Sequence, residues 1–352
     1  MQRARMAGPG ALAAEDVLRF LRDPRAHGAQ PGALSWVETH MSWVFFTATE
    51  ALKLKKPVRN AFLDHSTLAG RERDARAELL LNARLAPAVY LGLSAVRRTP
   101  EGLRLLPEES PAAAGPVVEW LVRMRRLPEQ ARLDRRIACR DLDAWDIAPL
   151  GERLAGFYLQ APRVRLEPRA WVAHYHREHR ANRRLLLDPR WASDEAAEAL
   201  DRFEAALREQ QEAIASRARG GHVREGHGDL RPDHVFLLDP PVVIDCIEFD
   251  RRLLRTDPYE EVGGLGLDCS IAGAPWVAPQ LHRRLAAALG GEPLPALLRV
   301  YIASRALLRA RLALGHLADP AVSDAPWWRA LAERYVLRVL GLWPGQGPHG
   351  WP

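Results

Sequence analysis

The spacing of apolar residues changes near Pro128, and this change limits the folds open to the chain. Before Pro128, short runs alternate apolar and polar residues, as is typical of strands. Two helices are also predicted in this part, one over 15–23 and one over 66–85 with Ser66 as its N-cap. The predicted strands are two or three within 36–56 and one each at 89–97, 102–106 and 117–124. After Pro128 the spacing is helical, and the predicted helices are 142–160, 168–187, 193–217, 277–289, 294–315 and 325–342.

This pattern predicts an α+β fold with two lobes. We expect a small antiparallel-sheet lobe over residues 1–118, a short hinge over 119–126, and a larger, mainly helical lobe over 127–352. The 352 residues, 47% of them hydrophobic, suffice to bury a core in each lobe.

Composition narrows the classes of function. The formal charge of +6 comes from scattered arginines without interleaved aromatic residues, so nucleic-acid binding is not expected. The three cysteines form no CxxC pair, and no apolar run approaches the ~18 residues needed to cross a bilayer. Gly8, Pro9 and Gly10 interrupt the only segment that imitates a signal peptide. These features predict a cytoplasmic protein that does not insert into membranes.

A β-rich island interrupts the helical half, and its centre reads GHGDLRPDHVFLLDPPVVIDCIEFD over residues 226–250. Two apolar runs flank the turn at 239–241, which predicts a hairpin. If Leu238 pairs with Val242, antiparallel counting places Val235 opposite Asp245. Asp229, His234 and Asp245 are then expected near one open end of the hairpin.

This spacing of polar residues favours phosphoryl transfer. One carboxylate can meet a substrate hydroxyl and a second can hold a metal that neutralises the phosphoryl oxygens. An isolated Asp more often caps a turn or ends a strand. Because Asp229 and Asp245 occur together at this spacing, a catalytic site is favoured over these structural roles.

The motifs H-G-D-L at 227–230 and V-I-D at 243–245 resemble those of the aminoglycoside phosphotransferase family, small-molecule kinases with the protein-kinase architecture. The segments VETHMSWVFFTATEALKLKKPVRNAFLDHSTL, LNARLAPAVYLG and VVEWLVRMRRLPE resemble an uncharacterised bacterial subgroup. The resemblance covers most of residues 35–270. It implies a protein-kinase-like fold and ATP with Mg²⁺ as cofactors.

The resemblance also implies roles for single residues. Asp229 matches the catalytic aspartate that accepts the hydroxyl proton, and Asp245 matches the metal-binding aspartate. The family usually has Asn five residues after the catalytic Asp, whereas this chain has His234. An imidazole can ligate a metal, but Mg²⁺ prefers oxygen, so His234 weakens the second Mg²⁺ position or shifts the preference towards Mn²⁺.

The nucleotide-binding residues are expected in the first lobe. The segment ALKLKKPV resembles the strand whose lysine contacts the nucleotide phosphates. We expect Lys55 to be this lysine, and Lys53 is the alternative. The expected acidic partner is Glu78, although Glu72 and Asp74 are also within reach. No glycine-rich loop occurs between Trp36 and Glu50.

Three further nucleotide contacts follow from the resemblance. Ser42 is the expected phosphate contact in place of a glycine-rich loop. The hinge around Glu119 and Leu121 would offer backbone hydrogen bonds to adenine.

The sequence therefore predicts an ATP-dependent phosphotransferase that acts on a hydroxyl of a small molecule. The absence of a G-x-x-x-x-G-K-[ST] motif excludes a P-loop kinase. Two alternatives stay open because of His234 and the missing glycine loop: a nucleotide-binding pseudokinase, and a non-catalytic accessory protein. The acceptor and the oligomeric state are not predicted.

Overall fold

The computed structural model describes residues 14–59, 63–112, 114–317 and 324–343. The chain divides into two compact units. The first unit comprises Met1–Pro128 together with Ile244–Arg251, and the second comprises Glu129–Val243 together with Arg252–Pro352. The segment that contains Asp245 thus belongs to the first unit, although the residues on either side of it belong to the second.

The first unit is built on a six-stranded antiparallel sheet with the strand order β1-β2-β3-β6-β4-β5. The strands are β1 (Ser35–Glu38), β2 (Ser42–Phe46), β3 (Glu50–Lys55), β4 (Tyr90–Thr99), β5 (Gly102–Pro107) and β6 (Val117–Arg125). The alternating pattern of the sequence forms this sheet because every second side chain can be buried on one face. The strands expected at 89–97, 102–106 and 117–124 are confirmed.

In the described part of the first unit, two α-helices accompany the sheet, α1 (Ala14–Leu21) and α2 (Leu68–Asn82). Val17 and Leu21 of α1 join a buried core that also contains Phe45, Leu52, Leu54, Val96 and Leu121 of the sheet. The predicted N-cap at Ser66 is wrong by one residue, since the Thr67 side chain accepts a hydrogen bond from the Gly70 N–H. Ser66 instead donates its hydroxyl to Asp64 in the preceding turn.

The second unit is mainly helical. Its helices are α3 (Leu133–Ala138), α4 (Ala144–Gln160), α5 (Pro168–Leu186), α6 (Asp194–Glu209), α7 (Gln211–Arg219), α8 (Pro258–Ile271), α9 (Val277–Leu289), α10 (Pro295–His316) and α11 (Ala325–Gly341). The single helix predicted over 193–217 is two helices, with Gln210 between them in a non-helical conformation. None of the helices in the described part of the chain is long and apolar enough to cross a membrane.

Helix α8 was not predicted from the sequence. Twelve of its residues are buried, so it lacks the polar face from which helical periodicity is recognised. Its three glycines also lower its helix propensity. Close packing requires glycine at Gly266, because a Cβ there would lie 2.3 Å from the Ala278 Cβ of α9.

The β-rich island forms two short ladders in the second unit. Strand β7 (Arg224–Glu225) pairs with β10 (Arg255–Thr256), and β8 (Val235–Phe236) pairs with β9 (Val242–Val243). The predicted hairpin exists, but its register is wrong: Val235 pairs with Val243 and not with Asp245. The connection spans 237–241, because Pro240 and Pro241 lack the N–H groups that would extend the ladder to a tighter turn.

Candidate functional site

Two lysines of β3 meet one glutamate of α2 in the first unit. The Lys53 Nζ donates to Glu78 Oε1 at 2.9 Å, and the Lys55 Nζ donates to Glu78 Oε2 at 2.6 Å. Residues two apart on a strand point to the same face, so both side chains reach the same carboxylate. The other two acids considered pair elsewhere, Glu72 with Arg76 and Asp74 with His65.

Asp245 and Glu248 bring two further carboxylates to these lysines. The Lys53 Nζ also donates to Asp245 Oδ1 at 2.5 Å, and the Lys55 Nζ also contacts Glu248 Oε1. Contact with Glu78 therefore does not separate the two lysines, but contact with Asp245 does. Lys53 is the lysine that contacts both Glu78 and Asp245.

The backbone around Asp245 is held by residues of the first unit. The Asp245 N–H donates to the Tyr90 hydroxyl at 3.2 Å, and the Cys246 N–H donates to Asn82 Oδ1 at 2.9 Å. Asp245 has φ of 64°, a left-handed conformation that Asp tolerates better than most residues. These contacts fix the direction in which the Asp245 carboxylate points.

The protonation of this cluster follows from burial and mutual attraction. Burial opposes the charge on Lys53, but Asp245 and Glu78 outweigh it and raise the lysine pKa well above its ordinary value. Burial likewise opposes the charge on Glu78, yet Lys53 and Lys55 lower its pKa. Burial prevails at Glu248, whose pKa is raised despite its contact with Lys55. Lys53 and Glu78 are therefore a charged pair at neutral pH.

The acids of this cluster are compatible with a divalent cation. Glu78, Asp245 and Glu248 supply three carboxylates against two lysines. Mg²⁺ is commonly held by one or two carboxylates together with substrate phosphates, and does not require a cage of protein ligands. Within residues 14–59, 63–112, 114–317 and 324–343, no three or more His, Cys, Asp or Glu side chains form a metal-binding group, so these carboxylates would hold a cation only together with substrate phosphates.

The loop that carries Asp229 is anchored from α8 in the second unit. Buried Glu261 accepts hydrogen bonds from the His227 N–H at 2.9 Å, the Gly228 N–H at 2.6 Å and the Tyr158 hydroxyl at 2.6 Å. Gly226 is required here, because a Cβ would lie 2.4 Å from Glu261 Oε2. The carboxylate of Glu261 thus sets the path of the backbone immediately before Asp229.

The Asp229 side chain meets an arginine of α10. The Arg309 Nη1 donates to Asp229 Oδ1 at 2.7 Å. Burial raises the pKa of Asp229, but Arg309, together with His234 and Arg231, outweighs burial and brings the pKa well below its ordinary value. Asp229 is therefore an ionised carboxylate at neutral pH, as a proton acceptor must be.

His234 contacts the same loop through its ring. The His234 Nδ1 lies 2.9 Å from the Asp229 carbonyl oxygen, a contact that requires the hydrogen to be on Nδ1. In the neutral ring, Nε2 then carries the lone pair. Metal-binding histidines commonly use this arrangement, with one ring nitrogen donating to a carbonyl and the other acting as ligand. The chemistry of His234 thus fits a metal ligand.

Three predicted residues have other partners. The Ser42 hydroxyl lies 3.0 Å from the Thr39 hydroxyl in the turn between β1 and β2. Glu119 accepts two bonds from Arg71 Nε and one from Arg71 Nη2, which ties α2 to β6. Leu121 is buried and pairs with Leu54 on one side and Ser94 on the other.

The positions of Glu119 and Leu121 correct the expected adenine contacts. Both residues lie inside β6, so residues 119–125 are strand and the chain leaves the sheet only at Arg126. Leu121 pairs with β3 and with β4, so its backbone groups are used by the ladder and are not available to a base. Glu119 pairs with Val96 of β4 and lies six residues before the end of the strand. The strand continues because its apolar residues are buried between β3 and β4.

Sequence reasoning missed several residues of these groups. The contact of Glu248 with Lys55 and the contact of Arg309 with Asp229 were not predicted from the sequence. The contact of Glu261 with the loop before Asp229 was not predicted either. These partners lie between 33 and 193 residues from the groups they contact, so only tertiary packing brings them together.

Comparisons with known proteins give both a sequence relative and a fold. No family model matches the chain. An uncharacterized protein of Mycobacterium tuberculosis is 30% identical over 328 residues, which cover 88% of this chain and 62% of that protein. A protein of Mycobacterium bovis matches to the same extent. The chain therefore spans less than two thirds of the length of these relatives.

Two solved structures share the fold. A choline/ethanolamine kinase family protein from Mesorhizobium loti has a TM-score of 0.52 and 17% identity, and covers 93% of each chain. An ethanolamine kinase from Plasmodium vivax has a TM-score of 0.50 and 8% identity, and covers 87% of this chain and 81% of that one. The predicted α+β kinase-like fold is confirmed.

Proposed function

We propose that this chain, which has the fold of the choline/ethanolamine kinases, is an ATP-dependent phosphotransferase that acts on a hydroxyl of a small molecule. The resemblance drawn from its motifs to small-molecule kinases agrees with that fold. Fold alone does not fix an activity, so the proposal depends on the residues of the two described groups.

One observation carries the proposal: the Lys53 ammonium contacts both Glu78 and Asp245. These residues are 25 and 192 positions from Lys53, so the constellation is not a local accident of sequence. Kinases use a strand lysine for the nucleotide phosphates, a helix glutamate that orients this lysine, and an aspartate for the metal. Lys53, Glu78 and Asp245 have the chemistry for these three roles.

Each of these side chains has a proposed role in the reaction. Lys53 is the proposed phosphate-binding lysine, with Lys55 beside it, and both are oriented by Glu78. Asp245 is the proposed metal ligand, with His234 as a second candidate ligand. When bound, the metal would neutralise charge on the phosphate oxygens.

Asp229 is the proposed catalytic residue. The acceptor oxygen would attack the γ-phosphorus, and the bond to the bridging oxygen of ADP would break with its electron pair leaving on ADP. The hydroxyl proton would pass to the Asp229 carboxylate. Its low pKa makes Asp229 a weak base, which suits a reaction in which orientation contributes more than proton affinity.

The remaining nucleotide contacts are proposed from the positions of two loops next to the sheet. Ser42 stays a candidate phosphate contact, because it ends the turn between β1 and β2 and pairs with Lys55. Adenine is assigned to backbone of residues 126–128, where the chain has left β6.

The test is calorimetric titration of ATP into the purified protein with Mg²⁺, with Mn²⁺ and without metal. Asp245→Ala should abolish metal-dependent binding, because it removes the proposed ligand. Asp229→Ala should retain binding and lose transfer to every acceptor and to water. A matched control is Asp201→Ala, since Asp201 forms an exposed ion pair with Arg183 on helices α6 and α5.

Each alternative predicts a different result. A pseudokinase would bind ATP without hydrolysis or transfer to any hydroxyl compound. A non-catalytic accessory protein would show no binding in any metal condition. Unchanged turnover in Asp229→Ala or Asp245→Ala would contradict the assignment of these residues.

A further inference from the structure

Arg309 contacts the proposed catalytic carboxylate from a different part of the second unit. It lies on α10, 80 residues after Asp229, and its Nη1 is 2.7 Å from Asp229 Oδ1. The side chains of Arg309 and Asp229 are 16% and 29% exposed, so the pair is partly shielded from water. An ion pair in such surroundings holds its geometry better than a surface pair does.

Arg309 is itself held in place by a second acid. Its Nη2 lies 3.5 Å from Asp268 Oδ2 on α8. Asp268 in turn accepts a hydrogen bond of 2.7 Å from the Tyr335 hydroxyl on α11. A continuous chain of polar contacts therefore runs from Asp229 through Arg309 and Asp268 to Tyr335, and it joins three helices to the Asp229 loop.

The contact on Asp229 is also selective. Arg309 engages Oδ1, which restricts rotation of the carboxylate and leaves Oδ2 for the proposed proton-accepting role. The backbone of the same loop is separately anchored by Glu261 through the N–H groups of His227 and Gly228. The loop path and the orientation of the Asp229 side chain thus have different supports.

We propose that Arg309 is a positioning residue that orients the Asp229 carboxylate for the acceptor hydroxyl. The inference rests on the proposed phosphotransferase function. Arg309 touches no reacting atom: the acceptor oxygen bonds to the γ-phosphorus, ADP leaves with the electron pair of the broken bond, and the proton goes to Asp229 Oδ2. Loss of the guanidinium would let the carboxylate rotate, which lowers the fraction of complexes in reactive geometry.

The experiment compares Arg309→Met and Arg309→Lys with the wild-type protein. Hydrolysis of Mg²⁺-ATP, with water as acceptor, gives kcat and the KM for ATP, and calorimetry gives ATP affinity independently of turnover. Arg311→Met is the matched control. Arg311 lies on the same helix, is 19% exposed and forms a 2.6 Å ion pair with Glu178, but does not contact Asp229 in the structure.

We expect kcat for Arg309→Met to fall on the order of 100-fold, because a small misplacement of a reacting group can lower the rate by about this factor. The KM and the affinity for ATP should change less than about twofold, because the proposed nucleotide contacts are elsewhere. Arg309→Lys should retain an intermediate rate, and added guanidinium ion should partly restore Arg309→Met. Arg311→Met should hydrolyse ATP at the wild-type rate.

Two results would overturn this inference and leave the proposed function intact. One is a wild-type kcat in Arg309→Met, and the other is a loss of activity that appears entirely in the KM for ATP. A loss without rescue by guanidinium or Lys, accompanied by a lower melting temperature, would make Arg309 merely structural and would also overturn it. Absence of ATP hydrolysis and of ATP binding in the wild-type protein would instead remove the proposed function, and the inference with it.

Discussion

Replacing Glu261 by Gln should loosen the loop that carries Asp229 while it preserves the shape of the side chain. The Glu261 carboxylate is buried and accepts three hydrogen bonds, two of them from the consecutive N–H groups of His227 and Gly228. An amide has one accepting oxygen, and its NH₂ group cannot accept. One of the backbone N–H groups, or the Tyr158 hydroxyl, therefore loses its partner.

The size of the effect follows from these contacts. A hydrogen bond to a charged group contributes about 1.5–3 kcal/mol, and a buried donor without a partner costs about 1–3 kcal/mol. If the amide oxygen keeps the two donors at Oε2, the Gly228 N–H is left facing the NH₂ group. We expect the free energy of local opening to fall by about 3 kcal/mol, which is roughly a 100-fold rise in exchange rate.

Native-state hydrogen exchange at the His227 and Gly228 amides measures this opening directly, and ATP hydrolysis reports its effect on Asp229. Glu260→Gln is the matched control, because Glu260 is buried on the same helix but accepts from the Tyr175 hydroxyl and lies 3.4 Å from Arg305. Burial raises the pKa of Glu260, so a neutral side chain is tolerated better there.

Unchanged exchange at both amides in Glu261→Gln would refute the idea that this carboxylate holds the loop. An equal increase in Glu260→Gln would also refute it, since the effect would then reflect general loosening of α8. Faster exchange with normal ATP hydrolysis would show that the loop is anchored by Glu261 but that Asp229 does not depend on the anchor.

Three further predictions follow from single contacts. Burial lowers the pKa of His282 to about 4 from the ordinary 6.5, so the unfolded chain takes up a proton first as pH falls and stability decreases across that window by up to about 3 kcal/mol. His282→Phe should reduce the slope of stability in urea unfolding measured from pH 7 to 4, and the part that remains comes from groups such as His174, whose pKa burial also lowers to about 4. Gly226→Ala should lower the melting temperature, because its Cβ would lie 2.5 Å from the Thr256 Cγ2, whereas Gly156→Ala, with nothing within 4 Å, should raise it slightly. Lys53→Met should weaken Mg²⁺-ATP binding on the order of tenfold in calorimetry, and more than Lys55→Met does, because Lys53 alone of the two contacts Asp245; equal effects would contradict that assignment.

Local pattern predicted most of the secondary structure. The alternation of β3 and β6 and the helical spacing of α9 and α10 are properties of neighbouring residues, and the structure confirms these elements. Helix α8 escaped prediction because burial on all sides removes periodicity. The hairpin at 235–243 was predicted, but its register was not, since two prolines in the connection move the first pair away from the turn.

The candidate site, like the secondary structure, was predicted only in part from the sequence. By itself, the sequence determined that Asp229 and Asp245 stand in motifs suited to phosphoryl transfer. Such a motif can be recognised without the structure because its residues are contiguous in the chain. Only the tertiary structure decided that Lys53 contacts Asp245, that Glu261 holds the Asp229 loop and that Arg309 contacts Asp229. The physical reason is that an ion pair or a buried hydrogen bond depends on distance in space, and chain packing sets that distance between residues far apart in sequence.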